Sequence, residues 1–186
     1  MKLRSNRPCA RMLFAFALLV IPATFYATTE PQSAPNIGVN GYFSSDKAQR
    51  GRVVQAAVVI DIPKGYHVNS NHPLEKFLVA TQLNVEVSSG VRVGPVTYPR
   101  PLLRKFSFSQ ERLSVYEGRV VLRFNVTVPA NFGSGSMELK AKVRYQSCND
   151  SLCFPPQSRE VKLEIPVVSA TESVKRINGE YFGRGR

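Results

Sequence analysis

Two cysteines with four residues between them, Cys148 and Cys153, lie in the stretch YQSCNDSLCFPP that runs from Tyr145 to Pro156. Asn149 and Asp150 follow the first cysteine, and both residue types reverse the chain readily by bonding their own backbone. Pro155 and Pro156 follow the second, and without amide donors they end any ladder there. Two thiols on so short a reversal are close enough to form a disulfide. That bond is either a clip or a working redox couple. As a clip it closes a small ring worth about 2 kcal/mol, and a chain of 186 residues buries enough core to fold without it. As a couple it is unlike a thioredoxin site, which has two residues between its cysteines and a helix that lowers one thiol's pKa. The remaining chemistry is exchange with a docked partner. Either a partner's thiolate attacks this disulfide, or this dithiol attacks a partner's disulfide.

Other chemistries fit the residues less well. His67 and His72 have the same spacing as the cysteines, and two His with two Cys could hold zinc. Spacing alone does not bring the two loops together, and His67 beside Tyr66 at a strand exit reads as a packed loop histidine, so no metal or cofactor is expected. No G-x-S-x-G or other nucleophile signature supports hydrolysis. The net charge of +12 is scattered, without an aromatic-interleaved basic run, which argues against nucleic acid. A basic surface of this kind favours acidic partners or an anionic membrane face. A further alternative is a binding or assembly module in which the disulfide is structural.

Around the cysteines, the chain divides simply. Lys2, Arg4, Arg7 and Arg11 precede the apolar run Met12–Ala27, which is interrupted by Pro22. This reads as an export signal over residues 1–27, with retention as an uncleaved anchor the alternative. Cys9 belongs to that leader. Export places the body in an oxidising compartment, where thiols can pair. Residues 28–36 are rich in Pro, Thr and Ser and read as a linker. Residues 37–168 form the domain, and 169–186 a basic, flexible tail. No later segment approaches a transmembrane length.

Within 37–168 the pattern is one of strands. Val53–Ile62 is rich in β-branched residues and stops at Pro63-Lys64-Gly65. Leu83, Val85 and Val87 alternate with polar neighbours. Val121, Phe124, Val126 and Val128 suggest a core strand with one slip of phase. Leu139, Ala141, Val143 and Tyr145 alternate with charged residues, as do Val161, Leu163, Ile165 and Val167. These last two strands should flank the cysteine stretch as an antiparallel hairpin. Leu102–Glu117 has no clean period and reads as a long, partly ordered loop carrying Phe106, Phe108 and Tyr116. About seven short strands without a strong helix predict an all-β fold, an immunoglobulin-like β-sandwich, with a β-barrel as the alternative.

YQSCNDSLCFPP on a terminal hairpin, GYHVNSNHP after a strand and FSFSQERLSVYEG before the next strand together resemble the amino-terminal periplasmic domain of the DsbD thiol:disulfide interchange proteins. The resemblance spans roughly residues 37–168, and the cysteine motif is its specific part. It implies an immunoglobulin-like sandwich whose cysteines cycle between disulfide and dithiol. Electrons would arrive from a thioredoxin-like domain and pass to periplasmic thioredoxin-fold proteins. Cys153 matches the cysteine that forms mixed disulfides, and Cys148 would resolve them. An aromatic cap loop matches Arg104–Tyr116, with Phe106 as the cap, Phe108 second and Tyr116 at its end. Core packing is the alternative for Phe106 and Phe108. Some members have one more residue between the cysteines. The chain shows no polytopic membrane section and no thioredoxin domain, so a membrane electron donor would act in trans on a periplasmic monomer.

Overall fold

The computed structural model of the chain describes residues 33–183 apart from Ser89 and Ser134. The expected export signal and most of the linker therefore lie outside the described residues. Among those residues the chain forms twelve strands and one short helix.

Two four-stranded sheets make the body. The first has the order β1 (Gly38–Phe43), β3 (Val53–Asp61), β9 (Arg119–Thr127), β6 (Arg92–Val93). The second has β2 (Ala48–Gln49), β12 (Gln157–Val168), β10 (Gly135–Tyr145), β5 (Gln82–Val87). All neighbours are antiparallel except β2 and β12. The two inner faces share one apolar core. Val58 and Ile60 of β3 and Leu122 and Phe124 of β9 meet Leu139, Ala141 and Val143 of β10 and Leu163 and Ile165 of β12 in that core. The fold is thus an all-β, immunoglobulin-like sandwich, built as the alternation in β10 and β12 requires. Gly41 marks a close approach of its layers, since a β-carbon there would collide with the Leu163 side chain.

The phase of β9 is regular. Val120, Leu122, Phe124 and Val126 are buried, while Val121 lies half-buried on the other face. The apparent slip in the sequence came from counting Val121 as a core residue in place of its neighbours.

A third sheet, β11 (Ser147–Cys148), β4 (His67–Asn69), β8 (Arg112–Tyr116), β7 (Leu102–Lys105), carries the cysteine stretch. It corrects the reading of residues 102–117 as a loop, because β7 and β8 form a regular antiparallel hairpin from Leu102↔Val115 to Lys105↔Arg112. Alternation is hidden because β8 is buried on both faces. Leu113 and Val115 join a small cluster with Leu78 and Phe106, while Tyr116 enters the main core and the Ser114 hydroxyl meets that of Ser70 at 2.8 Å. All four residues of β7 are exposed, so that strand has no apolar rhythm either.

The tail from Ser169, which its composition makes flexible or only lightly attached, is tied down as far as Phe182. Asp46 accepts from the Lys175 amide and donates its own amide to the Lys175 carbonyl, and the Asn178 side chain donates to the Phe43 carbonyl at 2.9 Å. The helix α1 (Gly179–Phe182) places Tyr181 against Tyr42, with ring centroids 4.3 Å apart. The helix contacts β3, whose Ala57 and Val59 are buried outside the main core. A segment with few apolar residues is held here by backbone and side-chain hydrogen bonds, which composition does not display.

Candidate functional site

β10 and β12 pair as far as Tyr145↔Gln157, so the intervening eleven residues leave the sandwich together. Gln146 fixes their base. Its side-chain oxygen accepts from the Asn69 side chain and from the Val79 amide, each at 3.2 Å, and its amide nitrogen donates to the Phe154 carbonyl at 3.2 Å. Asn69 also donates to the Val79 carbonyl at 3.1 Å. Thus three separate segments are tied through one polar pair, of which Asn69 is buried and Gln146 half-buried. Nothing in the spacing of YQSC marks Gln146, and Asn69 is one of several polar residues in GYHVNSNHP.

The reversal itself follows its residue types. Asn149 accepts from the amides of Ser151 and Leu152, each at 2.9 Å, and its own amide donates to the Leu152 carbonyl. The Phe154 amide donates to the Ser147 carbonyl at 2.9 Å, which closes the ring. Cys148 and Cys153 are bonded to each other, with Cα atoms 4.0 Å apart. In this bonded state neither sulfur is free to ligate a metal. The two cysteines are unequal. Cys148 is wholly buried, whereas Cys153 is partly exposed.

Register places the aromatics relative to the pair. β11 runs antiparallel to β4 with Cys148 opposite His67, and directly opposed residues share one face of a sheet. Asn69, two positions along, is opposite Val115, and Leu113 is opposite Arg104. His67, Cys148, Leu113 and Val115 therefore belong to the same face, the one turned away from the main core. Phe106 roofs that face. Its ring stacks on the His67 imidazole at 3.9 Å and 16°, and it packs on the cluster of Leu113 and Val115. Phe108 lies outside it, 5.5 Å from Phe106 and 6.4 Å from His67. The Ser107 hydroxyl donates to the Asp150 carbonyl at 2.5 Å, joining the tip of the β7–β8 hairpin to the cysteine reversal. Arg104 grips Glu117 with two hydrogen bonds of 2.9 and 3.0 Å at the hairpin's base.

Tyr116 does not belong to this roof. It lies on the opposite face, in the main core, and its hydroxyl donates to the Asn71 side chain at 2.6 Å. Burial raises its pKa above the ordinary tyrosine value.

An open depression of about 470 Å³ borders the roof, with Lys64, Tyr66, His67, Phe106, Glu117 and Asp150 in its wall. His67 is 2% exposed, and its Nε2 has no hydrogen-bond partner among the described residues. Burial lowers its pKa below the usual value of 6.5, against a smaller opposing pull from the carboxylates of Glu117 and Asp150.

The fold and site together define an immunoglobulin-like sandwich that carries a short-ring disulfide, with an aromatic stack on the His67 that pairs with Cys148. In sequence, residues 41–165 match the family described as thiol:disulfide interchange protein DsbD, N-terminal. The chain belongs to that family and is a thiol–disulfide interchange module. No curated protein matches it in sequence. Among solved structures it is similar to the Neisseria meningitidis DsbD N-terminal domain in its reduced form, with 16% identity over 72% of this chain and 89% of that one, TM-score 0.41. It is also similar to the N-terminal periplasmic domain of ScsB from Proteus mirabilis, with 14% identity over 72% of this chain and 47% of that one, TM-score 0.44. A third is the complex between the DsbD and PilB N-terminal domains of Neisseria meningitidis, with 18% identity over 64% of this chain and 80% of that one, TM-score 0.38.

The lowered pKa of His67 has a consequence for stability. Folding favours the neutral ring, so its contribution is complete above about pH 6.5 and is lost as pH falls through the lowered value. Denaturant titrations of the oxidised protein should show stability declining below that pH, with a shallower decline in His67→Phe. Equal declines in the two proteins would contradict this assignment.

Proposed function

We propose that the chain is a periplasmic, cofactor-free relay that passes reducing equivalents between thioredoxin-fold proteins through Cys148 and Cys153. A membrane-bound electron donor would serve it in trans. Cys153 forms the mixed disulfide with each partner and Cys148 resolves it. The observation that carries this reading is the inequality of the two cysteines within a family that performs thiol:disulfide interchange: the partner can reach Cys153, while Cys148 is wholly buried. Among the described residues no helix N-terminus adjoins the cysteine stretch to activate either sulfur. Reactivity therefore depends on the partner's thiol and on docking. A strongly nucleophilic site would react with many thiols in the compartment, so this dependence also gives selectivity.

Phe106 is the gate in this reading, with Phe108 as its outer leaf. Phe106 stacks on His67, which shares a sheet face with Cys148, and the hairpin that bears it is fastened to the cysteine reversal through Ser107 and Asp150. A docking partner must displace this hairpin or pass beside it. Among the described residues no helix is long and apolar enough to cross a membrane, and the export leader expected over residues 1–27 would deliver the domain to the periplasm.

Trapping tests the relay directly. Cys148→Ser, expressed in the periplasm, should accumulate a mixed disulfide through Cys153 to a thioredoxin-fold protein, visible as a thiol-sensitive band and identified by mass spectrometry. A binding module with a structural disulfide would give no such adduct in repeated trials while retaining its partner. For the gate, Phe106→Ala should raise the rate at which dithiothreitol reduces the oxidised protein several-fold. An unchanged rate would remove Phe106 from that role.

A further inference from the structure

The relay requires a thiolate from the cysteine least able to form one. Once Cys153 is joined to a partner, Cys148 must attack the Cys153 sulfur, and the thiolate rather than the thiol is the nucleophile. Cys148 is wholly buried, so its proton cannot pass directly to bulk water. The resolving step therefore needs a base that is itself inside the protein.

His67 meets that need by position. It stands opposite Cys148 in the β11–β4 register, so the two side chains project from the same face with β-carbons about 4.5–5.5 Å apart, the spacing of directly opposed residues. Its imidazole is 2% exposed, and Nε2 has no hydrogen-bond partner among the described residues. A buried ring nitrogen left unpaired costs stability and is uncommon in folded proteins. With the ring proton on Nδ1, Nε2 presents a free lone pair. Phe106 covers one face of the ring. The charged groups around the ring suit a base. Asp150 of the cysteine reversal and Glu117 after β8 would stabilise an imidazolium, and Lys64 before β4 also lines the adjoining depression.

We infer that His67 is the general base for Cys148 in the resolving step. This rests on the exchange reading given above. In the first step the Cys153 thiolate attacks the partner's disulfide, a Cys153–partner bond forms, and the partner's other sulfur leaves as a thiolate. In the second, the Cys148 thiol gives its proton to His67 Nε2 and its sulfur attacks that of Cys153. The Cys148–Cys153 bond forms, the Cys153–partner bond breaks, and the partner's second sulfur leaves as a thiolate. The pair is oxidised and the partner reduced by two electrons. The proton on His67 returns to water or to the departing thiolate. In the reverse direction, the imidazolium protonates Cys148 as a partner's thiolate attacks Cys153.

A two-phase reaction tests this. The reduced full chain carrying Cys9→Ser is mixed with dithiobis(nitrobenzoate). Attack by Cys153 releases the first coloured thiolate, and resolution by Cys148 releases the second. Judged against the first phase of the same protein, His67→Gln should slow the second phase at least tenfold near neutrality, the lower edge of general-base effects being about a hundredfold. The gap should narrow at high pH, where Cys148 ionises unaided. The wild-type chain supplies a second reading that needs no variant. Its resolving rate should be nearly level from about pH 7 to 9, since the base is already neutral there. A wild-type resolving rate that climbs about tenfold per pH unit across that range would overturn the proposal. So would equal second phases in wild type and His67→Gln. A wild-type chain that releases no second thiolate would overturn both this proposal and the exchange reading.

Discussion

The pairing of β11 with β4 is the contact on which the functional half of the molecule depends. It is only two residues long, Ser147 opposite Val68 and Cys148 opposite His67. Ser147 and Val68 lie on the face turned to the core, where both are fully buried. Cys148 and His67 lie on the other face, where Phe106 stacks on His67. A slip of one residue would exchange these faces and put the cysteine in the core. The register is held from outside the strand by Gln146, which bonds to Asn69, Val79 and Phe154 at once. The large sandwich sets the position of β4 and of the β10–β12 hairpin, and this short ladder joins them.

This arrangement separates stability from chemistry. The main core is continuous across β3, β9, β10 and β12 and contains neither cysteine. Breaking the disulfide removes a constraint from a small ring and leaves those layers intact. A relay must do this on every cycle, because its oxidised and reduced forms must both remain folded. The hairpin β7–β8 is similarly separate, packed on the small cluster of Leu78, Leu113, Val115 and Phe106. Its Arg104–Glu117 pair is exposed and contributes little energy, but it fixes where the hairpin begins.

Much of the sandwich was legible because β10 and β12 each bury one face and expose the other. Lys140, Lys142 and Arg144 alternate with Leu139, Ala141 and Val143 along β10. The cysteine hairpin followed from these two strands and the turn formers between them. Legibility failed wherever both faces are buried or both exposed. β8 divides its residues between two clusters, β7 is exposed throughout, and neither yields a period. For the same reason Tyr116 could be grouped with Phe106 although it points into the core. The attachment of Lys175 and Asn178 was hidden because hydrogen bonds to distant backbone leave no mark in composition. In the sequence His67 reads as a packed loop histidine, and only the register places it opposite a cysteine in a disulfide.

The reduction potential of the Cys148–Cys153 pair tests the central claim most directly. It is measured by equilibrating the protein against glutathione or dithiothreitol buffers and counting free thiols. A relay between thioredoxin-fold proteins should lie between about −180 and −270 mV, the span from protein disulfide isomerase to thioredoxin. A value well below about −300 mV would mark a bond that resists reduction, and would contradict the account by making the pair a clip.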